Sequence, residues 1–164
     1  MNSVMWVKMK LKGEEKMHYY SYKTFVDDIK TLVKKTEDFK PDALLAIARG
    51  GLTLAHAYAQ ATDNRNLFTI NSILYDGDVK RSHPKLMNLP ELNGAKQVLI
   101  LDDIVDSGQT LKAVLTVLHE RYPDITFKSA TLYYKKSSFI QPDYWLHEAT
   151  EWIDFFWEKD FLDE

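Results

Sequence analysis

Two adjacent acids, Asp102 and Asp103, close the apolar run Val98 to Leu101. They are followed by Asp106-Ser107-Gly108-Gln109-Thr110. Four apolar residues in succession read as a buried strand, and the acids at its end point to alternate sides. Carboxylates so placed can accept hydrogen bonds from vicinal hydroxyls or hold a hydrated magnesium ion. The next five residues supply backbone amides, two hydroxyls and a helix start, a set that suits a phosphate dianion. Acids are also common at solvated strand ends, and capped helix starts favour Asp, Ser and Thr. Acids immediately before the loop and glycine within it turn the reading towards a phosphate site.

Other residues could join that chemistry. Arg49-Gly50-Gly51 follows the apolar run Ala43 to Ile47 and can present amides and a cation to a second anion. A tight strand-to-helix turn would need glycine there in any case. Three of the six glycines (Gly50, Gly51 and Gly108) lie in these two turns, which favours close backbone approach to a ligand. Lys135 follows the strand expected over Ile125 to Tyr134 and can hydrogen-bond a carbonyl. Trp152 can stack on a flat ring or pack in a core. The five histidines show no metal-ligand spacing.

These residues need a scaffold that brings separate strand ends together. Ser21 can cap a helix whose apolar face is Phe25, Ile29, Leu32 and Val33. Leu52 to Ala61 is helix-favouring, Leu67 to Leu74 reads as a strand ending at Tyr75-Asp76, and a helix is expected over Gln109 to Arg121. Strands alternating with helices imply an α/β fold with a parallel sheet flanked by helices. In such sheets ligands bind beyond the carboxyl ends of the strands. The polar stretch Gly77 to Pro90 reads as a long irregular, functional or mobile loop. From Phe139 the chain holds Tyr144, Trp145, Trp152, Phe155, Phe156, Trp157 and Phe161, which read as an aromatic-rich C-terminal hood over the sheet.

Composition bounds the remainder. A chain of 164 residues with 45% hydrophobic and 27% charged residues suits one globular domain. A net charge of -3 gives no general attraction to nucleic acid. No apolar run reaches the roughly 20 residues of a membrane span. The absence of cysteine excludes disulfides, thiolate metal sites and thiol nucleophiles, and fits a reducing cytoplasm. Residues 1–16 carry four lysines, two glutamates and three methionines without a core pattern, so they read as an arm or extension, with Met17 as a candidate start. Residues 17–164 form the expected single domain.

Val98 to Thr110 resembles throughout the thirteen-residue phosphoribosyl diphosphate signature of the type I phosphoribosyltransferases. Ala48-Arg49-Gly50-Gly51 resembles their diphosphate loop, and Tyr75-Asp76 with the following stretch and Arg81 resembles their mobile catalytic loop. Thr131 to Lys135 and Glu151 to Asp154 resemble the purine end of the 6-oxopurine branch, to which bacterial xanthine-guanine phosphoribosyltransferases belong.

The resemblance implies transfer of 5-phosphoribose from phosphoribosyl diphosphate to a purine base, with Mg2+ as cofactor and release of diphosphate. It implies Asp102 and Asp103 on the ribose hydroxyls, with Asp103 also at the metal. Asp106, Ser107, Gly108, Gln109 and Thr110 would hold the 5′-phosphate. Arg49, Gly50 and Arg81 would hold diphosphate, with a strained peptide, cis in one form, before Arg49. Lys135 would donate to the purine 6-oxygen, Trp152 would stack on the ring, and the Ile153 backbone would read the 2-position edge, making residues 139–157 a purine-binding hood. Asp106 would be the catalytic base. A homodimer or homotetramer is implied as well. Two departures stand out: Gln109 replaces a usual small residue, and Lys136 doubles the lysine. The competing reading is a non-catalytic nucleotide-sensing regulator on the same fold, which the mild acidity of the chain gives little support.

Overall fold

The computed structural model describes residues 17–76, 79–92 and 94–162, with side chains from 74 to 83 outside the description. The arm assigned to residues 1–16 also lies outside the described residues. Strand β1 is Met17–Tyr20, helix α1 Tyr22–Lys35, β2 Ala43–Ala48 and α2 Gly51–Thr62. Then follow β3 Leu67–Asp76, β4 Val79–Met87, β5 Gln97–Val105, α3 Gln109–Arg121 and β6 Thr126–Tyr134. The chain closes with β7 Tyr144–Glu148, β8 Trp152–Phe155 and the one-turn helix α4 Phe156–Lys159.

Six strands form the main sheet in the order β4-β3-β2-β5-β6-β7. All its pairings are parallel except β3 with β4. Strand β2 shows why the sheet is buried on both faces. Leu44 and Ala46 pack with Phe25, Ile29 and Leu32 of α1 and with Leu54, Ala55 and Tyr58 of α2. Leu45 and Ile47 face the other way, towards Leu111, Val114 and Leu118 of α3. The period of two along the strand thus serves two helical layers. Helix α1 starts where expected, with the Ser21 hydroxyl accepting from the Thr24 amide at 3.1 Å.

The expectation of an irregular loop over Gly77 to Pro90 is corrected. Val79–Met87 is a strand, antiparallel to β3, with Tyr75 opposite Lys80 and Ile73 opposite Lys85. It lies at the sheet edge, where lysine and a proline are tolerated because one row of backbone groups has no neighbour. The register shifts between Ile73 and Tyr75, so Pro84 falls where the ladder is interrupted.

Part of the stretch expected as the hood, Tyr144–Glu148 within residues 139–157, joins the main sheet instead. Strand β7 extends it beside β6, with Ala130 opposite Tyr144. The Asp143 carboxylate pins its start, accepting from the Ser129 amide at 2.7 Å and the Ser129 hydroxyl at 2.9 Å. The aromatic hood itself is a second, two-stranded sheet of β1 and β8 with α4, in which Tyr20 pairs with Phe155. Tyr20 is fully buried, its ring 5.5 Å from Tyr133, 5.6 Å from Phe155 and 5.9 Å from Trp157.

The Tyr20 hydroxyl donates to Asp28 Oδ2 at 2.6 Å, and His147 Nε2 reaches the same oxygen at 2.7 Å. One buried carboxylate of α1 therefore ties β1 to β7. Tyr20→Phe keeps the ring and removes a donor from that carboxylate, so urea unfolding should show a loss of about 1–3 kcal/mol. Wild-type stability in the variant would show that the hydroxyl contributes nothing.

Candidate active site

Strands β3, β2, β5 and β6 are parallel neighbours, so the loops that follow them share one rim. Strand β2 delivers Arg49 and Gly50, and the Ala48–Arg49 peptide is cis. Strand β5 delivers Asp102 and Asp103 and continues to Val105 before the turn into α3. Strand β6 ends one residue before Lys135.

The first two loops meet at Gly50. A Cβ there would lie 2.6 Å from Asp103 Oδ1, so the carboxylate occupies the space a side chain would take. Gly51 similarly abuts the Leu101 carbonyl. Asp103 is 7% exposed, and its Oδ1 accepts from the Ile104 amide at 2.7 Å. Asp102 Oδ1 accepts from the Asp103 amide at 3.1 Å. Burial first, and then the charge of Asp103, hold Asp102 well above the usual carboxylate range. Burial first, and then the charge of Glu158, push Asp103 up to about 7.

The loop after β5 turns at Gly108, whose φ of 90° suits glycine. The Gln109 amide donates to the Ser107 hydroxyl at 3.4 Å, and Gln109 Oε1 is buried without a hydrogen-bond partner. Asp106 stands exposed at the start of the loop and meets Lys135 Nζ at 2.7 Å. Lys136 turns away and pairs with Glu148 at 2.8 Å. The doubled lysine is thereby divided, with Lys135 alone of the two in contact with this loop.

Trp152 and Ile153 lie on β8 of the hood. The Trp152 ring is 47% exposed, with its indole N–H donating to Asp154 at 3.1 Å, while Ile153 is buried. Arg81 belongs to β4, but its side chain lies outside the described residues. The same holds for the side chains of Tyr75 and Asp76.

Two residues at the site escaped the sequence reading. Trp157 is stacked on Phe155 at 4.6 Å, and its indole N–H is buried near Asp103 without a hydrogen-bond partner. Glu158 follows on α4. Burial raises its carboxyl, opposed by the charge of Arg49. The signal was an acid directly after the last tryptophan, in a tail without periodicity. Its contacts arise only when β8 pairs with β1.

Carboxylates beneath a glycine turn, beside a loop that opens a helix, lie together at the carboxyl end of a parallel sheet, where α/β folds bind their ligands. The phosphoribosyl transferase domain family matches residues 17–163. The chain belongs to that family and is a transferase. It is 30% identical over 154 residues to the xanthine-guanine phosphoribosyltransferase of Cereibacter sphaeroides, covering 88% of both chains. The solved xanthine-guanine-hypoxanthine phosphoribosyltransferase of Helicobacter pylori superimposes with a TM-score of 0.83 at 43% identity, over 88% of this chain and 96% of that one. A purine phosphoribosyltransferase from Pyrococcus horikoshii gives 0.75 at 28% identity, over 90% and 97%.

The raised Asp103 has a consequence for stability. Its folded pKa of about 7 exceeds the ordinary 3.8, so the native state binds more protons than the unfolded chain between those values. Wild-type stability therefore falls as pH rises across that window. Asp103→Asn removes the titration. In EDTA, the thermal midpoint of the variant should gain on wild type between about pH 4 and about pH 8. An offset that does not change with pH would contradict a buried, raised Asp103.

Proposed function

We propose that this enzyme is a purine salvage transferase, moving 5-phosphoribosyl from phosphoribosyl diphosphate to a 6-oxopurine (guanine, xanthine or hypoxanthine). The products would be the nucleoside monophosphate and diphosphate. The observation that carries the reading is the Asp106–Lys135 pair at 2.7 Å, one acceptor and one donor side by side at adjacent strand ends. A 6-oxopurine presents the complementary edge, a carbonyl oxygen beside a ring N–H, and can exchange with the pair. The 6-amino group of adenine would meet the lysine donor with another donor. The names of the relatives support the same substrate class.

In this reading Ser107, Gly108, Gln109 and Thr110 receive the 5′-phosphate on backbone amides and hydroxyls at the start of α3, with Asp106 at the mouth of the loop. Asp102 and Asp103 accept from the ribose hydroxyls. Arg49, the Gly50 backbone and Arg81 bind diphosphate. As diphosphate departs, positive charge grows on the sugar, and the strand-end carboxylates stabilise it. Asp106 takes the proton of the ring N–H as the new bond forms. Trp152 stacks on the base, and the Ile153 backbone faces its 2-position, so that residues 139–157 work as the purine-binding hood.

Magnesium fits the donor set. Asp102 and Asp103 are adjacent, oxygen-rich and raised partly by each other's or a neighbour's charge, a condition that a divalent cation relieves. Asp103 would be the protein's contribution to the ion, with waters and substrate oxygens completing its shell. When bound, the ion stabilises negative charge on the departing diphosphate.

Diphosphate release should be measured with phosphoribosyl diphosphate, magnesium and a panel of bases. Guanine, xanthine or hypoxanthine should support turnover at least about a hundredfold above adenine and the pyrimidines, since a mismatched hydrogen-bonding edge is strongly rejected. Preference for adenine would overturn the assignment of Lys135 and the purine subclass together.

A further inference from the structure

Residues 135–140, the start of the connection between β6 and β7, do more than carry Lys135. This segment folds back over the loop after β5. The Lys135 amide donates to the Val105 carbonyl at 2.9 Å, and the Phe139 amide to the Ser107 carbonyl at 3.3 Å. The Ser138 amide donates to the Lys135 carbonyl at 2.9 Å, closing a turn. The Ser138 hydroxyl then donates to the Ile140 carbonyl at 2.7 Å and accepts from the Ile140 amide at 3.4 Å.

That hydroxyl lies against Gly108. A Cβ on Gly108 would be 2.7 Å from Ser138 Oγ and 2.6 Å from Ile140 Cγ2. Gly108 occupies the N-cap position of α3 with φ of 90° and has no side chain with which to cap the helix. In place of an N-cap side chain, the turn has one local side-chain bond, the Gln109 amide to the Ser107 hydroxyl, at a long 3.4 Å. The 138–140 turn, which the Ser138 hydroxyl closes, packs against the α-carbon side of Gly108 and is bonded to the Ser107 carbonyl through the Phe139 amide.

We propose that Ser138 is a positioning residue for the phosphate loop: its hydroxyl, bonded to the Ile140 backbone and packed on Gly108, holds the 107–110 turn in the form that receives the 5′-phosphate. The inference rests on the reading of that loop as the phosphate site. Ser138→Ala removes both hydroxyl bonds but keeps the amide bond to Lys135. Lys135 also retains its bonds to Val105 and Asp106. The effect should consequently fall on one substrate and not on the other.

The test is steady-state kinetics on the full chain with each substrate varied in turn. Ser138→Ala should raise KM for phosphoribosyl diphosphate about fivefold, the equivalent of one net hydrogen bond, with kcat and the purine KM within about twofold of wild type. Ser138→Thr, which keeps the hydroxyl, should stay closer to wild type in the same constant than Ser138→Ala does. Ser137→Ala, an exposed neighbour, should change nothing. An unchanged KM for phosphoribosyl diphosphate, or an equal rise in both KM values, overturns the assignment. A wild type inactive with phosphoribosyl diphosphate and every base would overturn the substrate reading, and this assignment with it. An active wild type with an unaffected Ser138→Ala overturns this assignment alone.

Discussion

The site depends on one close approach, the Asp103 carboxylate against the α-carbon of Gly50. Parallel pairing of β2 with β5 puts the two chain segments side by side. The missing side chain lets the acid and the turn occupy one small volume. Any other residue at position 50 would have to displace the carboxylate or the turn. The apolar residues on both faces of β2 and β5 hold the approach in place, because sliding either strand by one residue would exchange its two buried faces.

That approach creates an electrostatic debt. Two adjacent carboxylates sit where burial disfavours their charge, and Glu158 adds a third negative group nearby. Arg49 lies within reach of Glu158, and the amides of Ile104 and Asp103 satisfy part of the acids. In the proposed function that debt is met by partners that bring positive charge, a divalent ion and a sugar carbon losing its leaving group. The exposed end of the site behaves differently. Asp106 and Lys135 satisfy each other there, and in the proposed function a base bearing the matching edge exchanges with both.

The central unit was legible because chemistry and periodicity coincide in it. An apolar strand, two acids, a glycine loop and a periodic helix can be read without tertiary information, and helix α3 runs over the expected residues, Gln109–Arg121. Strand β4 was hidden by its own position. An edge strand with lysines and a proline has the composition of a loop. The pairing of β1 with β8 joins four-residue strands from opposite ends of the described chain, and neither has a pattern long enough to declare itself. Trp157 and Glu158 reach the site through that pairing. The different surroundings of Lys135 and Lys136 likewise needed the fold, since one pairs with Asp106 and the other with Glu148.

The proposed binding of phosphoribosyl diphosphate depends most directly on the joint between Gly50 and Asp103. Titration calorimetry of phosphoribosyl diphosphate with magnesium, on wild type and on Gly50→Ala, measures whether that joint is the binding site. Saturable binding to wild type and a loss of at least about tenfold in affinity for the folded variant are predicted, since the new methyl must displace the carboxylate or the turn. Equal affinity in the two proteins would contradict the placement of the substrate between these loops.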